Sequence, residues 1–309
     1  MSKMKKVKLS IIIPTYNSER TIEECLNSIL NQNYKDYEII IVDNNSNDKT
    51  KMIIQKHLDN PRLKYIFEPI ISRGKARNTG EKTANGEIIL MTDSDCTAPK
   101  NWINDMIKPI INNECDAVQG FEEGLKKGYW AEQEHIRFLK RWKKRKNNIL
   151  GNIDTKNLAI KKSVLKKINY SNPEYANGND TYISIRLEKN KCKVKFMKNI
   201  RVKHAHPDSM LNIIKKYINR GYWCSRITKD NEEFLKETDF SKISEQIIWK
   251  TLMFFPDIAI SCIKEGPKYA FFDLVTGIAW RMGIIWSKVW GKIKQIKNPT
   301  APMRGYVKS

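Results

Sequence analysis

The chain has 309 residues, 40% of them apolar, and its 56 Lys and Arg outnumber 34 Asp and Glu, a formal net charge of +22. That length holds one large domain, or one domain with an appendage, around a sizeable core, and the charge favours an anionic partner: nucleic acid, an anionic membrane surface or a phosphorylated substrate. The six Cys, at 25, 96, 115, 192, 224 and 262, form no Cys-x-x-Cys pair, which argues against a zinc ribbon or a redox motif and fits a reducing cytosol. Met-Ser-Lys-Met-Lys-Lys opens the chain, but Leu9–Ile13 is too short for a signal-peptide core, so no secretory leader is expected.

Val7–Pro14 reads as a buried strand. Ser10-Ile11-Ile12-Ile13 is a continuous, mostly β-branched run, as a parallel strand covered on both faces requires. Pro14-Thr15-Tyr16-Asn17 ends it. Asn17 or Ser18 caps a helix through Leu30, with Ile22, Leu26, Ile29 and Leu30 on one face. A second strand, Tyr37–Val42, ends at Asp43, and Asn44-Asn45-Ser46 follows. The next helix starts near Asp48 and runs to about Leu58. Leu63–Phe67 is a third strand, Arg73–Thr83 a helix and Gly86–Met91 a fourth strand. This alternation predicts a parallel, doubly wound sheet, which binds ligands beyond the carboxyl ends of its strands. Thr15, Tyr16, Asp43, Asp93 and Asp95 all fall at that edge.

Alternate side chains of an extended strand point the same way, so Asp93 and Asp95 face one spot. Hard divalent cations prefer oxygen, and Mg²⁺ takes one or two carboxylates plus substrate phosphates. Asp-Ser-Asp also suits a solvated turn. Arg73 and Arg77 share a helix face, and a helix amino terminus with Arg nearby attracts phosphate.

Trp102–Ile111 is an amphipathic helix and Asp116–Phe121 a strand. Lys140-Arg-Trp-Lys-Lys-Arg-Lys146 carries six cations in seven residues, a footprint for a phosphate-bearing acceptor or a membrane, or else a solvated helix face. No nucleic-acid-binding fold motif accompanies it. Thr181–Lys189 is helical. Strands Lys193–Met197 and Ile200–Val202 lead to His204-Ala-His206, followed by a helix over Ser209–Trp223. Residues 225–241 read as a polar link. Ile247–Ile263 and Tyr269–Trp290 are apolar but interrupted by charge, so they suit helices lying in a membrane interface, or a packed helical hairpin, better than spanning helices. The expected division is 1–224 and 225–309.

Five segments, Ser10-Ile-Ile-Ile-Pro-Thr-Tyr-Asn17, Ile39-Ile-Ile-Val-Asp43-Asn-Asn-Ser46, Arg73-Gly-Lys-Ala-Arg-Asn78, Gly86-Glu-Ile-Ile-Leu-Met-Thr-Asp-Ser-Asp95 and Asn157-Leu-Ala159, stand in the order found in family 2 glycosyltransferases. Over roughly residues 7–205 the chain resembles that family. The resemblance implies an α/β GT-A fold, Rossmann-like, with a mostly parallel sheet in which Asn157-Leu-Ala-Ile160 and Val164–Ile168 are the acceptor-side strand and following helix; the apolar stretches beyond it add a C-terminal helical appendage. It implies that Thr15, Tyr16 and Asp43 hold the nucleotide base, Asp43 accepting from a ring N–H. Pro14, Asn45 and Ser94 complete the donor-binding set. Arg73 and Arg77 would lie near the sugar diphosphate, and Asp93 would contact ribose or sugar. Asp95 would ligate Mg²⁺ or Mn²⁺, with His204, rather than His206, near the metal. Asp180 stands where the family has its general base, while Asn179 replaces the Glu of many relatives.

The activity so implied is an inverting transfer of sugar from a nucleotide diphosphate, UDP-linked in the first instance, to a saccharide or lipid-linked acceptor in surface glycan synthesis. The expected location is cytoplasmic, peripheral to the inner face of the cell membrane, with a homo-oligomer as a further partner. Two alternatives stay open. A nucleotidyltransferase on a similar sheet would need a Gly-rich, basic loop after the first strand, which Pro14-Thr-Tyr-Asn17 is not. A non-catalytic nucleotide-sugar binding module would lack turnover.

Overall fold

The computed structural model describes residues 8–125, 128–144, 149–238 and 254–297. Contacts divide the chain into two compact units: Met1–Leu125 with Lys144–Ala205, and Lys126–Lys143 with His206–Ser309. Several sequence expectations fall on positions outside the described residues: the basic start, Arg145 and Lys146 of the cationic run, residues 247–253 with Trp249, and residues 298–309 of the tail.

The first unit is one sheet with helices on both faces. Its strands are β1 (Leu9–Thr15), β2 (Tyr37–Asp43), β3 (Leu63–Phe67), β4 (Ile88–Met91), β5 (Cys96–Thr97), β6 (Ala117–Leu125), β7 (Leu158–Lys161) and β8 (Val194–Ala205). They lie in the order β3-β2-β1-β4-β7-β6-β8-β5. β1 to β4 pair in parallel, as the alternating pattern predicts, and β6 pairs in parallel with β8. β7 runs antiparallel to both β4 and β6, and β5 antiparallel to β8. The sheet is therefore mixed.

Both faces of β1 are buried, which is why its Ile run is continuous. Leu9, Ile11 and Ile13 pack with α1 (Ile22–Leu30) and α4 (Trp102–Ile111), through Leu26, Ile29, Trp102 and Met106. Ile12, with Ile40 and Val42 of β2, faces the other layer. That layer holds Ala76 of α3 (Arg73–Thr83), Leu165 of α6 (Lys162–Lys167) and Ile183 of α7 (Asn179–Lys189). Fully burying one such aliphatic side chain stabilises by about 1.5–3 kcal/mol.

Some boundaries differ from the sequence reading. α1 starts at Ile22, because the Ser18 carbonyl first closes a turn by accepting from the Thr21 and Ile22 amides at 3.0 and 2.9 Å. α2 (Thr50–Gln55) stops short of Leu58 and runs out in turns. The two strands expected over 193–202 are one strand, β8, whose register shifts opposite Gln119 and Phe121.

The second unit contains α5 (Gly128–Lys144), α8 (Met210–Asp230), α9 (Glu232–Lys236), α10 (Phe254–Glu265) and α11 (Pro267–Lys297). Helices α8 and α9 occupy most of what reads as a polar link. α8 and α11 pack around Ile213, Tyr217, Phe272 and Ala279. The approach is close: a Cβ at Gly221 would lie 2.0 Å from the Trp280 carbonyl oxygen, and one at Gly283 2.0 Å from that of Ile218. Among the described residues no helix is long and apolar enough to cross a membrane.

Candidate active site

The carboxyl ends of β1, β2 and β4 lie side by side, and polar residues gather there. Thr15 closes β1 opposite Asp43 of β2. Pro14 and Thr15 are buried, Tyr16 half-buried, and Asn17 turns the chain with φ +47°. Asn17 binds the next strand's loop twice: its amide donates to Ser46 Oγ (3.0 Å) and its Oδ1 accepts from the Asn47 amide (2.9 Å). Asp43 is buried, its carboxylate accepting from Tyr65 Oη at 2.8 Å and the Ser46 amide at 3.1 Å. Asn45, at φ +65°, donates to the Pro69 carbonyl (3.4 Å). Ser94 Oγ and Ser18 Oγ are 2.7 Å apart.

A second group forms around α3. Arg77 is almost fully buried and its Nη2 donates to Asp93 Oδ1 at 2.7 Å. Its Nη1 lies 4.0 Å from Asp180 Oδ1. Asp180 sits in the first turn of α7, and its Oδ1 also accepts from the Thr155 amide (3.1 Å) and Thr155 Oγ1 (2.6 Å). Burial works to raise the Asp180 pKa, but the charges of Arg77 and Lys156 and the Thr155 hydrogen bonds outweigh it and hold the carboxyl below its ordinary value. Asp180 is thus ionised at neutral pH, with 40% of its side chain exposed. Arg73 is exposed and donates to Asn177 Oδ1 at 3.3 Å. Asn179 is wholly engaged with backbone: it accepts from the Asn172 amide and donates to the Tyr175 carbonyl, both at 2.8 Å. It shapes the loop that leads into Asp180.

The third group joins β5 to β8. Cys96 pairs with His204 across the strands, which brings His204 Nε2 within 3.4 Å of Asp95 Oδ2. His204 Nδ1 is 3.1 Å from Glu122 Oε2. Burial alone would lower the His204 pKa, but Asp95 and Glu122 together raise it to about 9. Burial likewise pushes against ionised Asp95, and His204, Lys156 and Arg73 overcome it, so the carboxyl stays well below its ordinary range. Glu122 and Asp154 also take Lys156 Nζ, at 3.1 and 2.7 Å. Glu122, Asp154, Thr155 and Lys156 are not among the residues the sequence singles out; the polar run directly before Asn157-Leu-Ala is a signal for the last three, and nothing marks Glu122 within β6. His206 belongs to the second unit, where its ring lies 5.7 Å from that of His135.

Ligand atoms of Asp95, Cys96 and His204 lie within 4.8 Å of one another. Burial, with Asp95 and Asp93, drives the Cys96 thiol pKa well above its ordinary value, so it stays protonated and is a poor ligand for a hard ion. His204 is protonated at neutral pH, so an ion would have to displace its Nε2 proton; once it has, a carboxylate 39% exposed beside a neutral imidazole suits Mg²⁺ or Mn²⁺. The donor set fits such an ion.

A family model described as glycosyl transferase family 2 matches residues 10–168, more than half of the chain. The chain belongs to this family. Glycosyltransferase GlyA of Streptococcus pneumoniae is 31% identical over 114 residues, 37% of this chain and 16% of that protein. The Campylobacter jejuni GalNAc(5)-diNAcBac-PP-undecaprenol β-1,3-glucosyltransferase is 40% identical over 91 residues, 28% of this chain and 29% of that protein. Staphylococcus aureus TarS, a poly(ribitol-phosphate) β-N-acetylglucosaminyltransferase, is 36% identical over 116 residues, 36% of this chain and 20% of that protein. The match spans less than a third of each of these relatives. The solved mannosyltransferase PcManGT of Pyrobaculum calidifontis, in complex with GDP-Man and Mn²⁺, superposes with a TM-score of 0.66 at 16% identity, over 92% of this chain and 88% of that one. TarS 1–349 in complex with UDP-GlcNAc gives 0.53 at 18% identity, over 92% of both chains. These likenesses establish the fold, a GT-A sheet with a C-terminal helical region, and family membership rests on the sequence.

Proposed function

We propose that this family 2 chain is an inverting glycosyltransferase that moves a sugar from a nucleotide diphosphate to a saccharide acceptor in building a surface glycan. The convergence of Asp93, Arg77 and Asp180 with Asp95 and His204 at one sheet edge carries the reading. The UDP-GlcNAc complex of TarS supports a UDP-sugar donor. The undecaprenol-linked substrate in the Campylobacter enzyme's name supports a lipid-linked acceptor, and with it a peripheral position at an anionic membrane.

In this reading Thr15, Tyr16 and Asp43 hold the nucleoside, with Pro14 and Asn45 shaping the loops around it. Asp93 and Ser94 meet the ribose or sugar. Arg73, at the amino end of α3, adds positive charge for the diphosphate. Asp180 accepts the proton of the acceptor hydroxyl, whose oxygen attacks the anomeric carbon. The bond from that carbon to the diphosphate oxygen breaks, and its electron pair leaves with the nucleotide diphosphate. One displacement inverts the centre. Asp95 and His204 would hold Mg²⁺ or Mn²⁺, and such an ion would supply positive charge against that growing on the leaving diphosphate. Asp180 starts out a weak base because Arg77 and Lys156 stabilise its anion. An incoming diphosphate competes for Arg77 and so restores its basicity.

The first test is thermal shift against UDP, GDP, dTDP and CMP nucleotides and their sugars, with and without Mn²⁺. A ligand at 100 times its dissociation constant stabilises by about 2.7 kcal/mol, a readily measured shift. A metal-dependent shift with one nucleotide supports the reading and names the donor. No shift with any sinks it. Asp180→Asn should keep that shift and lose transfer by about 10²–10⁴. Binding without turnover in the wild type, across acceptors, would make the chain a binding module instead.

A further inference from the structure

We propose that the outward face of α11 is a docking surface for an anionic lipid bilayer. The proposal rests on the peripheral-membrane part of the function above and names the surface responsible. Met282, Ile285, Trp286 and Val289 are 53%, 61%, 54% and 53% exposed and line one shallow apolar hollow. Phe271 and Ile278 are exposed on the same helix. At 3.6 residues per turn these six fall in one stripe about 100° wide. Phe272, Thr276 and Ala279, on the other side, are buried, and Gly283 lies against α8. The core of this unit is thus satisfied without the outward stripe.

The charges on α11 say what covers it. Its cationic positions are Lys268, Arg281, Lys288, Lys292, Lys294 and Lys297. Its single acid, Asp273, is paired with Arg137. An apolar stripe containing Trp and flanked by Lys and Arg suits the boundary between acyl chains and anionic headgroups, where long cationic side chains reach outward. A second copy of the chain would bring the same cations face to face, in a molecule already carrying +22. Anionic lipid neutralises them. A helix of 31 residues is about 46 Å long, and it lies along such a surface, because it is not apolar enough to cross.

The test is sedimentation of the full chain with phosphatidylcholine vesicles, with and without phosphatidylglycerol. A variant carrying Met282→Ser, Ile285→Ser, Trp286→Ser and Val289→Ser alters exposed positions only. Wild type should sediment with the anionic vesicles and detach as NaCl rises. The variant should partition roughly 100-fold less, with an unchanged melting temperature and unchanged gel-filtration elution. If the variant sediments like wild type, another surface carries attachment; this inference falls and the membrane reading stands. If wild type sediments with neither vesicle, both fall. A wild-type dimer that becomes a monomer in the variant would assign the face to a second copy and overturn the proposal.

Discussion

Glu122 governs how His204 presents itself. Its buried carboxylate lies 3.1 Å from both His204 Nδ1 and Lys156 Nζ. With the Nδ1 side held by Glu122, Nε2 is the nitrogen directed at Asp95, and a metal arriving there would displace the Nε2 proton. Glu122→Gln should therefore weaken Mn²⁺ binding about 10–100-fold, measured by electron paramagnetic resonance titration without any substrate. His204→Ala should weaken it similarly, and the double variant should be little worse than either alone. Full additivity would separate Glu122 from His204. Glu81 offers a different test. It is fully buried on α3, accepts from the Ser171 amide and Oγ at 2.6 Å each, and burial raises its pKa to about 7. A raised carboxyl pKa means that the native state holds its proton more tightly than the unfolded chain. The resulting stability is full below the ordinary value of about 4.5 and is lost as pH rises to 7, roughly 3 kcal/mol in all. Denaturant unfolding at pH 4.5 and pH 8 should show at least that loss, since His204, raised to about 9, adds to it above pH 6.5, and Glu81→Gln should remove the part between pH 4.5 and 7. These residues were hard to find in the sequence because their partners are distant. Glu122 and Lys156 are neighbours only because β6 pairs with β7, and Asp95 meets His204 only because β5 pairs with β8.

The loop over 171–178 is the element that positions Asp180, and α3 is its support. Asn78 donates to the Ser171 carbonyl at 2.7 Å, and the Asn179 amide fastens Asn172 and Tyr175. Gly74 admits the loop: a Cβ there would lie 2.4 Å from the Asn172 carbonyl oxygen and 2.3 Å from that of Tyr175. Gly74→Ala should cost about 1–3 kcal/mol by overpacking and shift Asp180. Turnover should then fall further than UDP affinity, the two compared by initial rates and calorimetric titration. Equal losses would mean that the loop does not act through Asp180. Elements with a continuous apolar run were legible: β1, β2 and β4 occupy the predicted places because both of their faces are buried. β8 reads as two strands in the sequence because two successive polar residues, Lys198 and Asn199, both exposed, break its alternation. α8 was ended at Trp223 because Arg226, Lys229 and Asp230 hide the buried Ile227. Strand direction beyond β4 was not legible, since alternation of side chains does not distinguish parallel from antiparallel.

At the scale of the molecule, the positive charge has two consequences of opposite sign. An excess of 22 positive charges repels itself in the folded chain, a cost that unfolding relieves. Raising NaCl shortens the Debye length from about 10 Å at 0.1 M to about 3 Å at 1 M and screens this repulsion between exposed charges. The partly buried pairs, Arg77 with Asp93 and Lys156 with Asp154, are screened less. Salt should therefore raise the melting temperature, because it weakens surface repulsion more than it weakens these attractions. The same salt should weaken any association with anionic vesicles or with a diphosphate, whose attraction acts through solvent. Melting scans in 0.05 M and 0.5 M NaCl, run beside vesicle sedimentation in the same buffers, read both effects. A melting temperature that falls with salt would mean that exposed ion pairs, such as Lys195 with Glu114 and Lys236 with Glu232, outweigh the net repulsion. The excess of Lys and Arg would then be a device for binding partners that costs the fold nothing.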